Sequence, residues 1–298
     1  MKRTGQIVWM TGLLLLWLFC SGLAQADGLV VRPASPLEIR LSQFPNWQGK
    51  PPVQASRGDL IYPNWFEGNW RVTTTLLEMV APLAPETTTP GFEGNRQYLN
   101  RPIAFNVHFV EAQSKGLDSL LSLILNRGEK QIVSDRAFNG MSLSKAYLGD
   151  RVIAVKVDPN NPNRQITLLQ GDSPVGLFSE RQLVSTVIGR STATPNPDQF
   201  LTSEVFQQEF RGTPQIYFNE VENTTAYLHQ ATRDSPDQPE ITAEQVTAIY
   251  LSPQDPDYFE TVTNGSFLGE PHPVALYRYR LEFFRDETLP GMNDRDYP

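Results

Sequence analysis

Apolar and polar residues alternate with a period of two along much of this chain, and that alternation limits the fold more than any other feature. It is clearest near the C-terminus, where Tyr277, Tyr279, Leu281 and Phe283 alternate with Arg278, Arg280 and Glu282. Successive side chains of a strand point to opposite faces, so this pattern belongs to a strand with one buried and one wet face. The even positions from Trp70 to Leu76 are mostly apolar, as are the odd ones from Ile103 to Phe109. Val152 to Val157 and Gln165 to Leu169 read as short strands, and Phe200, Phe206 and Phe210 share one parity. Further strands are expected over 182–190, 215–228 and 244–251.

Helical spacing is confined to two places. Leu117, Leu120, Leu121 and Ile124 follow it, and Ser142 to Leu148 gives two turns ended by Gly149. Residues 27–58 carry Pro33, Pro36, Pro45, Pro51 and Pro52 and read as an irregular lead-in. The expectation is mainly β: one antiparallel domain over 59–286, about nine strands with short helices, then a polar tail over 287–298. A closed barrel and a β-sandwich both satisfy the pattern. Closure is favoured because it removes open edges.

Residues 1–26 form a separate unit. Lys2 and Arg3 precede an apolar run from Ile7 to Leu18, and Ala24-Gln25-Ala26 offers a small-x-small exit before Asp27. That is the pattern of a cleavable secretory signal, with cleavage expected between Ala26 and Asp27. Its apolar run is shorter than the ~20 residues that span a bilayer as a helix. Cys20 would leave with the signal, so the mature chain would have neither a disulfide nor a thiolate nucleophile. It would also carry 23 Lys and Arg against 33 Asp and Glu, once Lys2 and Arg3 are lost. That acidic balance argues against nucleic acid and against simple attraction to anionic lipid. No later segment has the length and apolarity of a transmembrane helix, so export to the periplasm or thylakoid lumen as a soluble protein is expected.

Catalytic patterns are thin. Ser142-Leu143-Ser144-Lys145 fits the Ser-x-x-Lys of penicillin-binding proteins and β-lactamases, but the Ser-Asp-Asn and Lys-Thr-Gly elements that chemistry needs are absent. His108, His229 and His272 lie far apart and in no metal-ligand spacing. Glu220 and Glu222 share one face of a strand, a pair expected to be solvated surface. Asp158, Asn160, Asn161 and Asn163 put oxygens on one loop, which lacks the acidic closer of a calcium site and reads as a hairpin connection. No catalytic set, metal or cofactor is expected. Asp135-Arg136-Ala137-Phe138-Asn139 stands between a strand and a helix. There an Asp135–Arg136 ion pair would hold the turn, with Asn139 starting the helix; a binding role at the rim is the alternative.

Tyr62-Pro63-Asn64-Trp65-Phe66-Glu67-Gly68-Asn69-Trp70 opens the first long strand with Gly-x-Trp, which resembles the opening motif of lipocalin-like (calycin) barrels. The resemblance implies that Trp70 closes a barrel floor and that an Arg near the end of the last strand packs on it. Arg285 has the inward parity of Tyr277 and Tyr279 and is the residue for that place. The whole chain also looks like an uncharacterised family of exported proteins from cyanobacteria and chloroplasts, on Tyr62 to Trp70, Asp135 to Asn139 and Asp158 to Gln165. Two functions follow as expectations. One is a barrel holding a small apolar ligand near Trp70, Tyr277, Tyr279 and Arg285, with Asp135, Arg136 and Asn139 at the rim. The other is an interaction or assembly protein acting on a membrane protein complex. A hydrolase is the third and weakest. The volume and place of any cavity discriminate between the first two.

Overall fold

The computed structural model describes residues 32–287 apart from 90, 113–129, 172–178, 213–215, 234, 236 and 263–268. The expected signal with Cys20, Ala26 and Asp27, the helical spacing at Leu117 to Ile124, and residues 288–298 of the tail lie outside the described residues. The chain divides into Met1–Ala34 and a compact unit, Ser35–Pro298, which holds every regular element described.

That unit is mainly β, with more strands than the nine expected: an antiparallel sheet of eleven, curled into a half-barrel. The elements are α1 (Pro36–Ser42), β1 (Gln54–Ala55), β2 (Gly68–Val80), β3 (Pro102–Glu111), β4 (Ile132–Ser134) and α2 (Arg136–Leu148). They continue as β5 (Val152–Asp158), β6 (Asn161–Gly171), β7 (Ser179–Asn196), β8 (Gln199–Arg211), β9 (Tyr217–His229), β10 (Ile241–Leu251) and β11 (Ala275–Arg285). From β5 to β11 each strand pairs with the next; β11 then pairs with β2, which continues into β3 and β4. The short β1 pairs with β7 outside that path. Among the described residues no pairing joins β4 to β5. Instead α2 touches β3 on one side and β5 and β6 on the other, so a helix spans the gap between the two ends of the sheet.

The curl follows from what the inward residues touch. Phe109 on β3 and Phe200 on β8 belong to strands five steps apart, some 24 Å if the sheet were flat. Yet the ring of Tyr62 lies 4.8 Å from Phe109 and 5.7 Å from Phe200. Phe66, Trp70, Val72, Val107, Leu281 and Phe283 also belong to this cluster, and the period-two alternation of β2, β3 and β11 brings the strand residues among them to one face. Alternation in β2 breaks after Leu76: Glu78 faces Arg278 while Leu76 faces Tyr279, so Leu77 bulges out and is exposed. Beyond the bulge a second cluster forms from Leu76, Phe92, Ala275 and Tyr277.

The segment expected to be irregular contains α1. Ser35 is its N-cap, accepting from the Glu38 N–H while Glu38 accepts from the Ser35 N–H, with Pro36 at the first helical position. This capping box with an N-terminal proline was present in Ser35-Pro36-Leu37-Glu38. Helix α1 and the chain to Trp47 cover the outer face of the sheet, where Trp47 packs with Val246, Ala248, Tyr250 and Leu276. The outer face of β9 and β10 around Glu222 and Ala248 is therefore buried.

Candidate functional site

At one end of the half-barrel, Arg285 of β11 faces Trp70 of β2 in register, with its guanidinium 4.3 Å from the indole centroid. Trp70 is fully buried and donates its indole N–H to the Phe66 carbonyl at 2.6 Å. Arg285 also donates to both Glu240 oxygens and to the Glu67 carbonyl. Burial works against the Glu240 carboxylate, but the bonds and charge of Arg285 outweigh it and hold its pKa below the usual range. Gly68, the first residue of Gly-x-Trp, has φ +111°, and a Cβ there would meet Arg285 Nη1 at 3.1 Å. The positive φ is what demands glycine; the guanidinium end could give by a few tenths of an ångström.

Tyr277 and Tyr279 do not join Trp70 in an open cup. Tyr277 is buried beside Phe92 with its hydroxyl accepting from Asn95, and Tyr279 bridges the two inner clusters. Burial raises the pKa of both phenols.

The expected Asp135–Arg136 pair does not form. Asp135, not Asn139, is the N-cap of α2, accepting from the Phe138 N–H at 3.1 Å. Its carboxylate also lies 3.8 Å from His108 Nδ1; burial opposes ionisation, but His108 and the helix N–H groups win and its pKa falls. Arg136 turns inward to Asp59 at 3.3 Å and Glu204 at 3.4 Å. Glu204 also takes two bonds from Arg190, at 2.9 and 2.7 Å, and Arg190 reaches Asn163. Burial disfavours the Arg136 cation, the charges of Glu204 and Asp59 reverse that, and its pKa is raised. Asn139 and Ser142 cap the free edge of β3. Asn139 accepts from the His108 N–H at 2.7 Å and donates to its carbonyl, and Ser142 accepts from the Asn106 N–H at 3.0 Å. The hydroxyl of the Ser-x-x-Lys match thus closes a sheet edge while Lys145 is exposed.

Glu222 is the largest departure from expectation. Rather than solvated, it is fully buried on the outer face under α1, where its two oxygens take four donors. Arg40 Nε and Nη2 approach at 2.5 and 2.6 Å, Thr224 Oγ1 at 2.6 Å and the Tyr250 hydroxyl at 2.8 Å. The guanidinium of Arg40 stacks 4.0 Å over Trp47 and donates to the Gly49 carbonyl. Burial penalises the Arg40 cation, but the Glu222 carboxylate more than compensates, and its pKa is raised. Glu220, on the same face, pairs with Lys50. Nothing in the spacing of 220 and 222 announces a lid arriving from residue 40.

The remaining candidates are structural. Asp158 accepts from the Asn160 N–H and pairs with Arg164, turning the β5–β6 hairpin. His229 stacks on Trp65 at 5.1 Å and meets Asp198. Among the described residues no three His, Cys, Asp or Glu side chains are grouped as metal ligands, and no helix is long and apolar enough to cross a membrane.

Two open cavities lie at the margins of the packed interior. One of about 720 Å³ sits where β1 meets β7, between Pro52–Arg57 and Arg190–Thr192. The other, about 410 Å³, runs beside α1 along Leu41, Phe44, Leu201 and Leu228, rimmed by Glu244 and Arg278. Arg278, expected on a wet face, is half-covered there, paired with Glu244 and lying 5.8 Å over Phe44. No curated protein and no solved structure matches the chain. The family described as "Domain of unknown function (DUF6816)" matches residues 54–287, from β1 to the residue after Asp286, and the chain belongs to that family.

Proposed function

We propose that this chain is an exported, non-enzymatic interaction protein, docking onto a membrane protein complex in the periplasm or thylakoid lumen. The observation that carries this reading is what occupies the curl of the sheet. Tyr62, Phe66, Phe109 and Phe200 meet across it, and the Arg136–Glu204–Arg190 network lies on the same inward face. An apolar guest there would have to displace close-packed rings or desolvate paired charges. Binding capacity for such a guest lies outside, in the two open cavities. The pattern of residues 1–26 supports export, and the Arg285–Trp70 stack with Gly68 supports kinship with lipocalin-like barrels. A second reading, a small apolar ligand such as a pigment, quinone or lipid, draws on the apolar walls of the α1 groove.

Purification from the native host tests both. Intact mass should give a chain beginning at Asp27, and native electrophoresis of mildly solubilised membranes should show the protein running with a larger complex. A chain that migrates alone and releases a stoichiometric pigment or lipid into organic solvent would overturn the interaction reading in favour of the ligand one.

A further inference from the structure

Across β8 to β11 the inner face of the sheet is apolar toward both ends and polar between. Toward the Trp70 end, Phe200, Tyr227, Ala243 and Leu281 lie opposite one another. Toward the other, Phe206, Val221, Ile249 and Ala275 make a second apolar row. Two rows of different character run between them. One is Glu204, Asn223, Thr247 and Tyr277, and the other is Thr202, Thr225, Gln245 and Tyr279. A curled sheet packed only on itself fills such inward positions with apolar side chains.

The polar rows line open space. On the outer face of the same strands Glu222, Thr224, Val246 and Ala248 are fully buried, yet Asn223, Gln245 and Thr247 beside them are only half-buried. Successive side chains of a strand point to opposite faces, so the surface these three keep lies inside the curl. Their hydrogen bonds run within and between the rows. Thr225 Oγ1 donates to Gln245 Oε1 at 3.2 Å, Gln245 Nε2 to Thr247 Oγ1 at 3.1 Å, and Thr247 Oγ1 to Asn223 Oδ1 at 2.7 Å. Asn223 Nδ2 and the Tyr279 hydroxyl have no hydrogen bond among the described residues, and neither is sealed from solvent. Glu204, the one charged side chain in the two rows, is held by Arg190 and Arg136. An ion entering this space would find no free counter-charge.

We propose that the space inside the curl, over Asn223, Gln245, Thr247 and Tyr279, binds a small neutral polyhydroxylated molecule of the sugar or polyol class. Each hydroxyl of such a guest both donates and accepts, which matches the free Asn223 amide donors and the Tyr279 hydroxyl. Phe206, in the next row, gives its C–H surface an apolar wall. The close-packed rings at the floor still exclude an apolar guest. This site is separate from the docking proposed above, and neither depends on the other.

Calorimetric titration of glucose and of sucrose into the full chain tests this, with glucose 6-phosphate as charged control and cyclohexanol as apolar control. At least one of the two sugars should bind saturably, one to one, and at least tenfold more tightly than either control. Tyr279→Phe removes a hydroxyl that holds nothing in the fold, and should weaken binding at least fivefold. Tyr277→Phe should not, because that hydroxyl is already taken by Asn95. A saturating sugar should slow amide exchange in β9, β10 and β11. Binding of neither sugar, a control that binds as tightly, or a Tyr279→Phe chain that binds like the wild type would overturn the proposal. So would slowed exchange confined to residues 52–57 and 190–192, which would put the sugar in the open cavity beside β1.

Discussion

Glu222→Gln should be one of the most damaging single substitutions in this chain. The change keeps the shape of the side chain and removes its charge, leaving the Arg40 guanidinium buried without its anion. The carboxylate takes donors from Arg40, Thr224 and Tyr250, so both oxygens are saturated, with Glu222 fully buried and Arg40 nearly so. Breaking one partner of a buried pair costs about 3–5 kcal/mol, because the other charge stays desolvated. Replacing both by apolar residues of similar size costs far less, since no stranded charge remains. Arg40→Met with Glu222→Leu should therefore be less destabilising than either single change, a coupling of several kcal/mol by double-mutant cycle. Urea unfolding of Glu222→Gln and of the four proteins of the cycle measures both, with hydrogen exchange on α1 reporting whether the lid loosens first. A loss under about 1 kcal/mol for Glu222→Gln, or strict additivity in the cycle, would refute the argument.

Trp70→Ala should cost roughly 3–5 kcal/mol from the buried indole, and Arg285→Ala about 1 kcal/mol, since its stacked head is partly exposed; Arg280→Ala, on an open face, should be near neutral by urea unfolding. Ser142→Ala should cost about 1–2 kcal/mol by stranding the Asn106 N–H, whereas Lys145→Ala should change nothing; equal effects would show that α2 does not cap β3. Asp135 has a folded pKa below its unfolded value near 3.8, so the unfolded state binds more protons in that window. Its contribution is present above pH 4 and lost as pH falls through the lower folded value, and Asp135→Asn should flatten the acid limb of the stability curve. At the other end, Tyr62, Tyr227 and Tyr250 have raised folded values, so absorbance at alkaline pH should show them ionising only as the protein unfolds.

Strand positions were legible where one face is wet. In β2, β3 and β11 most of the buried residues fall on the parity read from the sequence, because solvent over much of the other face keeps the alternation clean; Thr75 and Leu276 are buried off that parity. The Trp70–Arg285 stack was legible for the same reason: parity and strand direction fix where two ends of an antiparallel pair meet. The polar residues were misread where tertiary covering changed their surroundings. Ser142 looks like a helix position and Asn139 like the helix start until the strand beside them turns out to have N–H groups that they satisfy. Arg136 looks like a local partner for Asp135 until the curl brings Glu204 across from β8.

Glu222 shows the deeper reason. On a sheet with one open face the parity it shares with Glu220 would place it in water. The lid of residues 35–47 changes that, and the strand then needs a cation it cannot supply itself. The family match begins at residue 54, so Glu222, Thr224 and Tyr250 lie within the matched segment while Arg40 and Trp47 lie before it. An apolar outer face would bury as well under Trp47 and Leu37 without any charge. A buried pair is weak evidence for stability but constrains geometry, since the guanidinium satisfies Glu222, Tyr250 and Gly49 only in one seating of α1. The ion pair therefore fixes where the lid sits, and with it the path of the chain through Pro51 and Pro52 to β1. That path brings Gln54 opposite Arg190 and Ala55 opposite Gly189, the two pairs that make up β1.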